Sequence, residues 1–214
     1  MPRFDHHAHT TLHSPDSILD PQDLIARARS IGLDGVVITE HDVQWHADEL
    51  AEWSKDADDF LLLSGAEIST REGHFLVYGL PDLTDIEPGI LLADLLKIVK
   101  RLDAAIVAAH PFRWDQDFEA IVHDHGPVFD ALELVSSNVT SDTRRKTERL
   151  LRARAGVMGA TGSSDAHDVQ TVGCYHTLFD DPIHSIADFV RALRSRRFRP
   201  VHLSGAVLPS GPIS

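Results

Sequence analysis

Five times along this 214-residue chain a short apolar run gives way to histidine or a carboxylate. The opening FDHHAHTTLHSPD does so at once. GVVIT (35–39) runs into Glu40-His41-Asp42, FLLLSGAEIS (60–69) carries Glu67 near its end, AAIVAA (104–109) meets His110-Pro111, and GVMGATG (156–162) leads to Asp165-Ala166-His167. Apolar runs of this length, rich in branched residues, read as strands buried on both faces, and such strands belong to sheets covered by helices.

The segments between them have helical character. DPQDLIARARSIGLDG places Asp20 as N-cap and Pro21 at the first helical position, with Leu24, Ile25, Ala28 and Ile31 on one face and Gly32 as the stop. Further helices are expected near 45–56, from Pro88 to Leu102, over 115–123, over 141–155 and around 186–196. HFLVYGL (74–80) reads as a strand returning from the turn-prone TREG, and ALELV (131–135), HTLF (176–179) and RPVHL (199–203) complete the strands. Strands alternating with helices indicate parallel βαβ units, and about seven of them are more than a small open sheet holds, so a barrel-like β/α fold is expected. One domain over 1–205 is expected, with 206–214 as a loosely packed tail.

In β/α folds functional groups gather at the carboxyl ends of the strands, where these polar residues stand. Alternation along a strand puts Asp5, His7 and His9 on one face and His6 on the other, so His7 and His9 can converge on one ion, Asp5 supports them, and His6 is structural. An isolated histidine at a strand end is more often a hydrogen-bonded core residue, Glu67 alone could be an ion-pair partner, and Asp165 alone could be a helix N-cap. Those readings must each hold independently at five strand ends. Together the residues form a nitrogen and oxygen donor set suited to zinc, manganese or iron, whereas magnesium and calcium prefer oxygen alone. His46, His123, His125, His184 and His202 are read as surface or structural residues, and His176 as outside the site.

Charge narrows the partners. Lys and Arg number 20 against 33 Asp and Glu, a net charge of −13, which opposes a polyphosphate backbone or an anionic membrane at long range. A phosphorylated substrate would need local cations such as metal ions. Cys174 is the only cysteine, which excludes a cysteine-rich zinc module, and no signal or membrane-spanning stretch is read, so a cytoplasmic location is expected.

In order, His7-Ala-His9-Thr10, Thr39-Glu40-His41-Asp42, Gly65-Ala-Glu67, His74, His110-Pro111 and Gly162-Ser-Ser-Asp165-Ala-His167 resemble the motif series of the polymerase and histidinol phosphatase (PHP) superfamily. The resemblance implies a distorted (β/α)7 barrel with two or three divalent transition metals and hydrolysis of phosphoesters by metal-activated water. It implies one ion on His7, His9, Glu67 and Asp165, and a second on Glu67, His74 and His110. A third would take His41, His167 and a ligand from the opening loop. Asp16, in SPDS, is the closer match for that last ligand, with His13 as the alternative. His41, Asp165 and His167 carry the catalytic assignment.

Arg113 and Asn138 are candidate substrate-binding residues: a guanidinium can grip phosphate through two hydrogen bonds. Arg144, Arg145, Lys146, Arg149, Arg152 and Arg154 form a basic run on one helix, by default a solvated face and alternatively a landing strip for a nucleic acid end. The favoured substrates are small phosphorylated metabolites, nucleotides or short oligonucleotides, with nucleic acid a partner only as substrate and no membrane partner. The alternatives are a non-catalytic, metal-stabilised interaction module, or a histidinol-phosphate or phosphotyrosine phosphatase.

Overall fold

A computed structural model describes residues 1–55 and 59–204; the expected tail lies outside the described residues. Within these residues nine strands run in chain order as β1 (Arg3–Asp5), β2 (Gly35–Ile38), β3 (Leu61–Ser69), β4 (His74–Tyr78), β5 (Ala105–Ala108), β6 (Ala131–Val135), β7 (Gly159–Gly162), β8 (Tyr175–Phe179) and β9 (Phe198–His202). Among the described residues six α-helices join them: α1 (Pro21–Ser30), α2 (Ala47–Ser54), α3 (Leu92–Arg101), α4 (Phe118–His125), α5 (Ser141–Ala153) and α6 (Ile186–Ser195). All nine strands form one sheet in the order β7-β6-β5-β4-β3-β2-β1-β8-β9. The chain is a single α/β unit with a nearly closed, barrel-like sheet, as expected.

The sheet is mixed rather than wholly parallel. β1, β2 and β3 are parallel, as are β5, β6 and β7, but β4 runs against both its neighbours and β8 against both of its own. The reason lies in connection length: residues 70–73 are too few to cross over a sheet, so β3 and β4 must form a hairpin. The wall closes through a side chain. Thr177 of β8 accepts the Gly162 N–H at 3.0 Å and donates to the Gly162 carbonyl at 2.8 Å, fastening β7 to the far end of the sheet.

Two expected helices move. α3 begins at Leu92 because the residues after Pro88 pair with the hairpin turn: Gly89 N–H donates to the Ser69 carbonyl at 2.7 Å and Arg71 N–H to the Ile90 carbonyl at 3.2 Å. Glu72 then accepts the Leu92 N–H at 3.0 Å. The stretch expected to be helical from 115 is preceded by a tight turn over Arg113–Asp115, closed by Gln116 N–H donating to the Arg113 carbonyl at 3.1 Å, and α4 follows with Asp117 capping Ala120 N–H at 3.0 Å.

Alternate residues of the strands face two different cores. Val36, Ile38 and Leu62 pack outward with Leu24, Ile25 and Ala28 of α1, while Phe75, Ile106 and Leu132 pack outward with α3 and α4. Phe4, Val37, Leu63, Leu76, Tyr78 and Val107 face inward, where Phe189 and Leu193 of α6 plug the barrel floor. Phe189 touches Phe4, Tyr78 and Phe179 with ring centroids 5.8, 5.0 and 5.4 Å apart. Full burial of one such ring stabilises by about 1.5–3 kcal/mol, so the floor is firm, and the candidate ligands stand at the opposite rim. Among the described residues no helix is long and apolar enough to cross a membrane.

Candidate metal centre

Backbone pairing continues past the strand ends and draws the polar loops together. His9 N–H donates to the Ala166 carbonyl at 2.9 Å, Glu67 N–H to Glu40 at 3.0 Å, and Asp42 N–H to Glu67 at 2.9 Å. Asp42, His110 and Asp165 leave the strands with φ of 54°, 27° and 53°, left-handed values that few non-glycine residues adopt and that re-aim the chain at the rim.

Glu67 is the hub. Its Oε1 lies 3.1 Å from Nδ1 of His74 and 3.1 Å from Nε2 of His110; its Oε2 lies 2.9 Å from Nδ1 of His41, 3.5 Å from Nε2 of His7 and 3.4 Å from Nε2 of His9. Asp165 approaches from β7, with Oδ1 3.3 Å from His7 Nε2 and 3.4 Å from His9 Nε2. The imidazole of His9 stacks between those of His41 and His167, at centroid distances of 4.1 and 4.4 Å.

Nε2 of His7 and Nε2 of His9 are buried and make no hydrogen bond. Native interiors rarely leave such atoms unpartnered, and here two of them converge on one carboxylate oxygen, Oε2 of Glu67. Four groups bring their ligand atoms within 4.8 Å of one another: His7 with His9 and Glu67, His7 with His110 and Asp165, Glu67 with His74 and His110, and His9 with His41 and His167. This donor set, imidazole plus carboxylate at the mouth of a barrel, fits transition metals.

The charges respond to one another. Burial works against a charge on His7, but the carboxylates of Asp165, Glu133 and Glu67 outweigh it and hold its pKa well above the ordinary value. Burial likewise opposes ionisation of Glu67, and His7, His110 and His41 overcome it, holding the carboxyl well below its usual range. Asp165 is lowered for the same reason by His7 and His9.

The opening loop separates its two candidates. Oδ2 of Asp16 lies 3.2 Å from Nε2 of His41 and 3.3 Å from Nε2 of His167. His13 turns away to Glu49 at 2.7 Å. Arg113 stands 3.8 Å from Asp165, and the Asn138 amide donates to Asp165 Oδ2 at 2.6 Å, so Asn138 positions that carboxylate.

His6 keeps the inward side of Phe4, opposite Asp5, and lies in the barrel floor, where its Nδ1 is 2.7 Å from the Tyr78 hydroxyl and its ring lies against Phe189. Burial lowers its pKa to about 4. The alternation breaks after His6, beyond the end of β1 at Asp5, so His7 reaches the centre without sharing a side with Asp5. Asp5 instead braces the loop before Asp165, accepting from Ser164 N–H at 2.9 Å, Ser164 Oγ at 2.5 Å and Gly173 N–H at 2.9 Å. Its burial raises its pKa to about 6.

Two supporting carboxylates escaped the reading of the sequence as site residues. Glu133, fully buried in β6, accepts from His7 Nδ1 at 2.9 Å, from His110 N–H at 2.8 Å and from the Ser163 hydroxyl. A glutamate inside ALELV was the available signal. Glu40, noted only beside His41, is also fully buried and gathers Thr10 N–H at 3.0 Å, Ser14 Oγ at 2.5 Å and Trp45 Nε1 at 2.9 Å, which fixes the opening loop.

The family model described as PHP domain matches residues 5–167. The chain belongs to the PHP domain family. A second model, described as PHP-associated, matches residues 152–198. No curated protein gives a significant match. Among solved structures, this PHP domain resembles a two-domain protein of Bacteroides vulgatus described as containing a predicted PHP-like metal-dependent phosphoesterase, with a TM-score of 0.73, 20% identity, and 94% of this chain against 64% of that one. PsfC of Pseudomonas syringae gives a TM-score of 0.71 at 20% identity, over 94% of this chain and 92% of its own. A lesion-specific endonuclease of Pyrococcus furiosus gives 0.63 at 20% identity, over 91% of this chain and 56% of that one. At these identities the likeness speaks to the fold, and the PHP domain spans just under two thirds of the Bacteroides protein.

Proposed function

We propose that this PHP domain hydrolyses phosphoesters of small metabolites, nucleotides or short oligonucleotides at a centre of two or three transition metals. The observation that carries the reading is the convergence of the buried, unpartnered Nε2 atoms of His7 and His9 on Oε2 of Glu67. His7, His9, Glu67 and Asp165 would hold one ion; Glu67, His74 and His110 a second; His41, His167 and Asp16 a third. Bound there, zinc, manganese or iron supplies Lewis acidity toward the phosphoryl oxygens and lowers the pKa of water.

The chain's own groups prepare that chemistry. A carboxylate can only accept, so Glu133 requires Nδ1 of His7 to carry a proton and leaves Nε2 as the donor atom facing the centre. Asn138 fixes Asp165, and Ser163 and Ser164 are held by Glu133 and Asp5 behind it. Arg113, at the rim, is the guanidinium placed to meet an incoming phosphoryl oxygen. Family membership supports the class of reaction, and the fold shared with an endonuclease agrees with a phosphodiester as one member of it.

Elemental analysis of protein purified without added metal, paired with a phosphoester panel on the same sample, tests the reading. About two to three equivalents of transition metal and metal-dependent release of phosphate or nucleotide are expected. Loaded protein that is inert across monoesters and diesters would refute it.

A further inference from the structure

Trp114 occupies an unusual place beside this centre. Four of the six residues from His110 to Asp115 take left-handed backbone values, with φ of 27° at His110, 67° at Phe112, 53° at Trp114 and 58° at Asp115. Bulky residues adopt that conformation only when their surroundings enforce it. The enforcing residue is Gln116. Its Oε1 accepts the Phe112 N–H at 3.2 Å and its amide donates to the Glu72 carbonyl at 2.6 Å, tying the loop to the β3–β4 turn. Gly73 makes room for it: with φ at 147°, a Cβ there would stand 1.9 Å from Gln116 Nε2.

The side chain this loop presents is 67% exposed, yet ordered on one side by the Arg113 guanidinium, 4.1 Å from the ring centroid. The imidazoles of His74 and His110 stand near-perpendicular to the indole, at centroid distances of 5.2 and 5.8 Å. A groove of about 470 Å³ runs alongside, lined by Arg71, Gly73, His74, His110, Arg113 and Trp114 among others. A large, rigid aromatic held open to solvent at the edge of a polar centre is a surface for stacking.

We infer that Trp114, with Arg113 against it, is a stacking platform for the base of a nucleotide substrate, an inference that rests on the phosphoesterase reading for the reacting end. The position separates a nucleobase from a simple aryl group. His74 lies between Trp114 and Glu67, so the platform is one residue removed from the carboxylates. In a phenyl phosphate the ring is bonded directly to the ester oxygen and would sit at the centre itself. In a nucleotide the sugar intervenes, and the base reaches outward to where the indole is.

The test compares wild type, Trp114→Ala and Trp114→Phe on adenosine 5′-monophosphate, glycerol phosphate and p-nitrophenyl phosphate. Trp114→Ala is expected to lower the ratio of kcat/KM for the nucleotide over glycerol phosphate by about tenfold, through KM, as loss of one stacked base predicts. Trp114→Phe should keep most of that ratio, and p-nitrophenyl phosphate should behave like glycerol phosphate. An unchanged ratio overturns the platform. A readout independent of catalysis is quenching of indole fluorescence by adenosine in metal-free protein, expected in wild type and lost in Trp114→Ala. If no phosphoester is cleaved but quenching occurs, the phosphoesterase reading fails and the platform stands; cleavage without quenching overturns the platform alone.

Discussion

Glu133 reaches across the barrel to accept the Nδ1–H of His7 at 2.9 Å while its other oxygen accepts the His110 N–H at 2.8 Å, so one buried carboxylate sets two of the proposed metal-binding histidines. Glu133→Gln preserves the shape but weakens the acceptor, and metal affinity measured against a competing chelator should fall by about 10- to 100-fold. Glu133→Ala also orphans the Ser163 hydroxyl and the His110 N–H, each worth about 1–3 kcal/mol, and its thermal unfolding should show a much larger loss than that of the glutamine variant.

Metal uptake should release protons. Although burial opposes it, the surrounding carboxylates hold the pKa of His7 well above its ordinary value in metal-free protein, and Glu67 raises that of His41 against its own burial. An imidazole must shed its proton to ligate, so apparent affinity should rise with pH. The raised pKa of His7 also stabilises the metal-free fold fully below the unfolded value near 6.5 and loses that contribution as pH climbs through the higher folded value. Calorimetric titration in buffers of different ionisation enthalpy reads the protons released; buffer-independent heats at neutral pH would contradict the sign.

Asp16 lies within 3.3 Å of both His41 and His167, whereas His13 is paired with Glu49. Asp16→Ala should lower bound metal by about one equivalent. His13→Ala should leave the stoichiometry as it is, and the reverse pattern would reassign the opening-loop ligand.

Local signals made much of this arrangement readable in the amino-acid order. Asp20 and Pro21 announce α1, the turn residues Thr70 to Gly73 announce the hairpin that returns His74 to Glu67, and the polar residues after GVVIT and AAIVAA announce the rim. What escaped depends on contacts distant in sequence. Alternation fails between His6 and His7 because β1 is only three residues long, and Tyr78, 72 residues from His6, partners it in the floor. Trp114 carries no local signal in the sequence, since neither the left-handed run nor the grip of Gln116 on Glu72 leaves a trace there.

Gly73→Ala should loosen the 110–116 loop. The added methyl cannot coexist with Gln116 as placed, and the backbone conformation is itself costly for alanine, about 1–3 kcal/mol. Faster amide exchange at Phe112 and Gln116, with the floor around Phe189 unaltered, is the expected pattern.

Cys174 should be a poor nucleophile. Burial, with the charges of Asp5 and Glu133, pushes its pKa up to about 12 from an ordinary 9.0, so its thiolate fraction near pH 8 is about a thousandfold lower than in the unfolded chain. Alkylation of native protein should be correspondingly slow and should accelerate with pH well beyond the range in which denatured protein has levelled off.

The hydroxyl of Thr177 that joins β8 to β7 at Gly162 gives the segment after His167 a role its composition does not advertise. No residue after His167 is among the proposed ligands, yet Gly162 is three positions from Asp165, and Gly173 helps Asp5 hold Ser164 in place. A truncation after residue 167 would retain every proposed ligand and still forfeit the site, because Asp165 would hang from an edge strand whose fastening had been cut away. The matched PHP-associated segment thus includes the clasp of the centre.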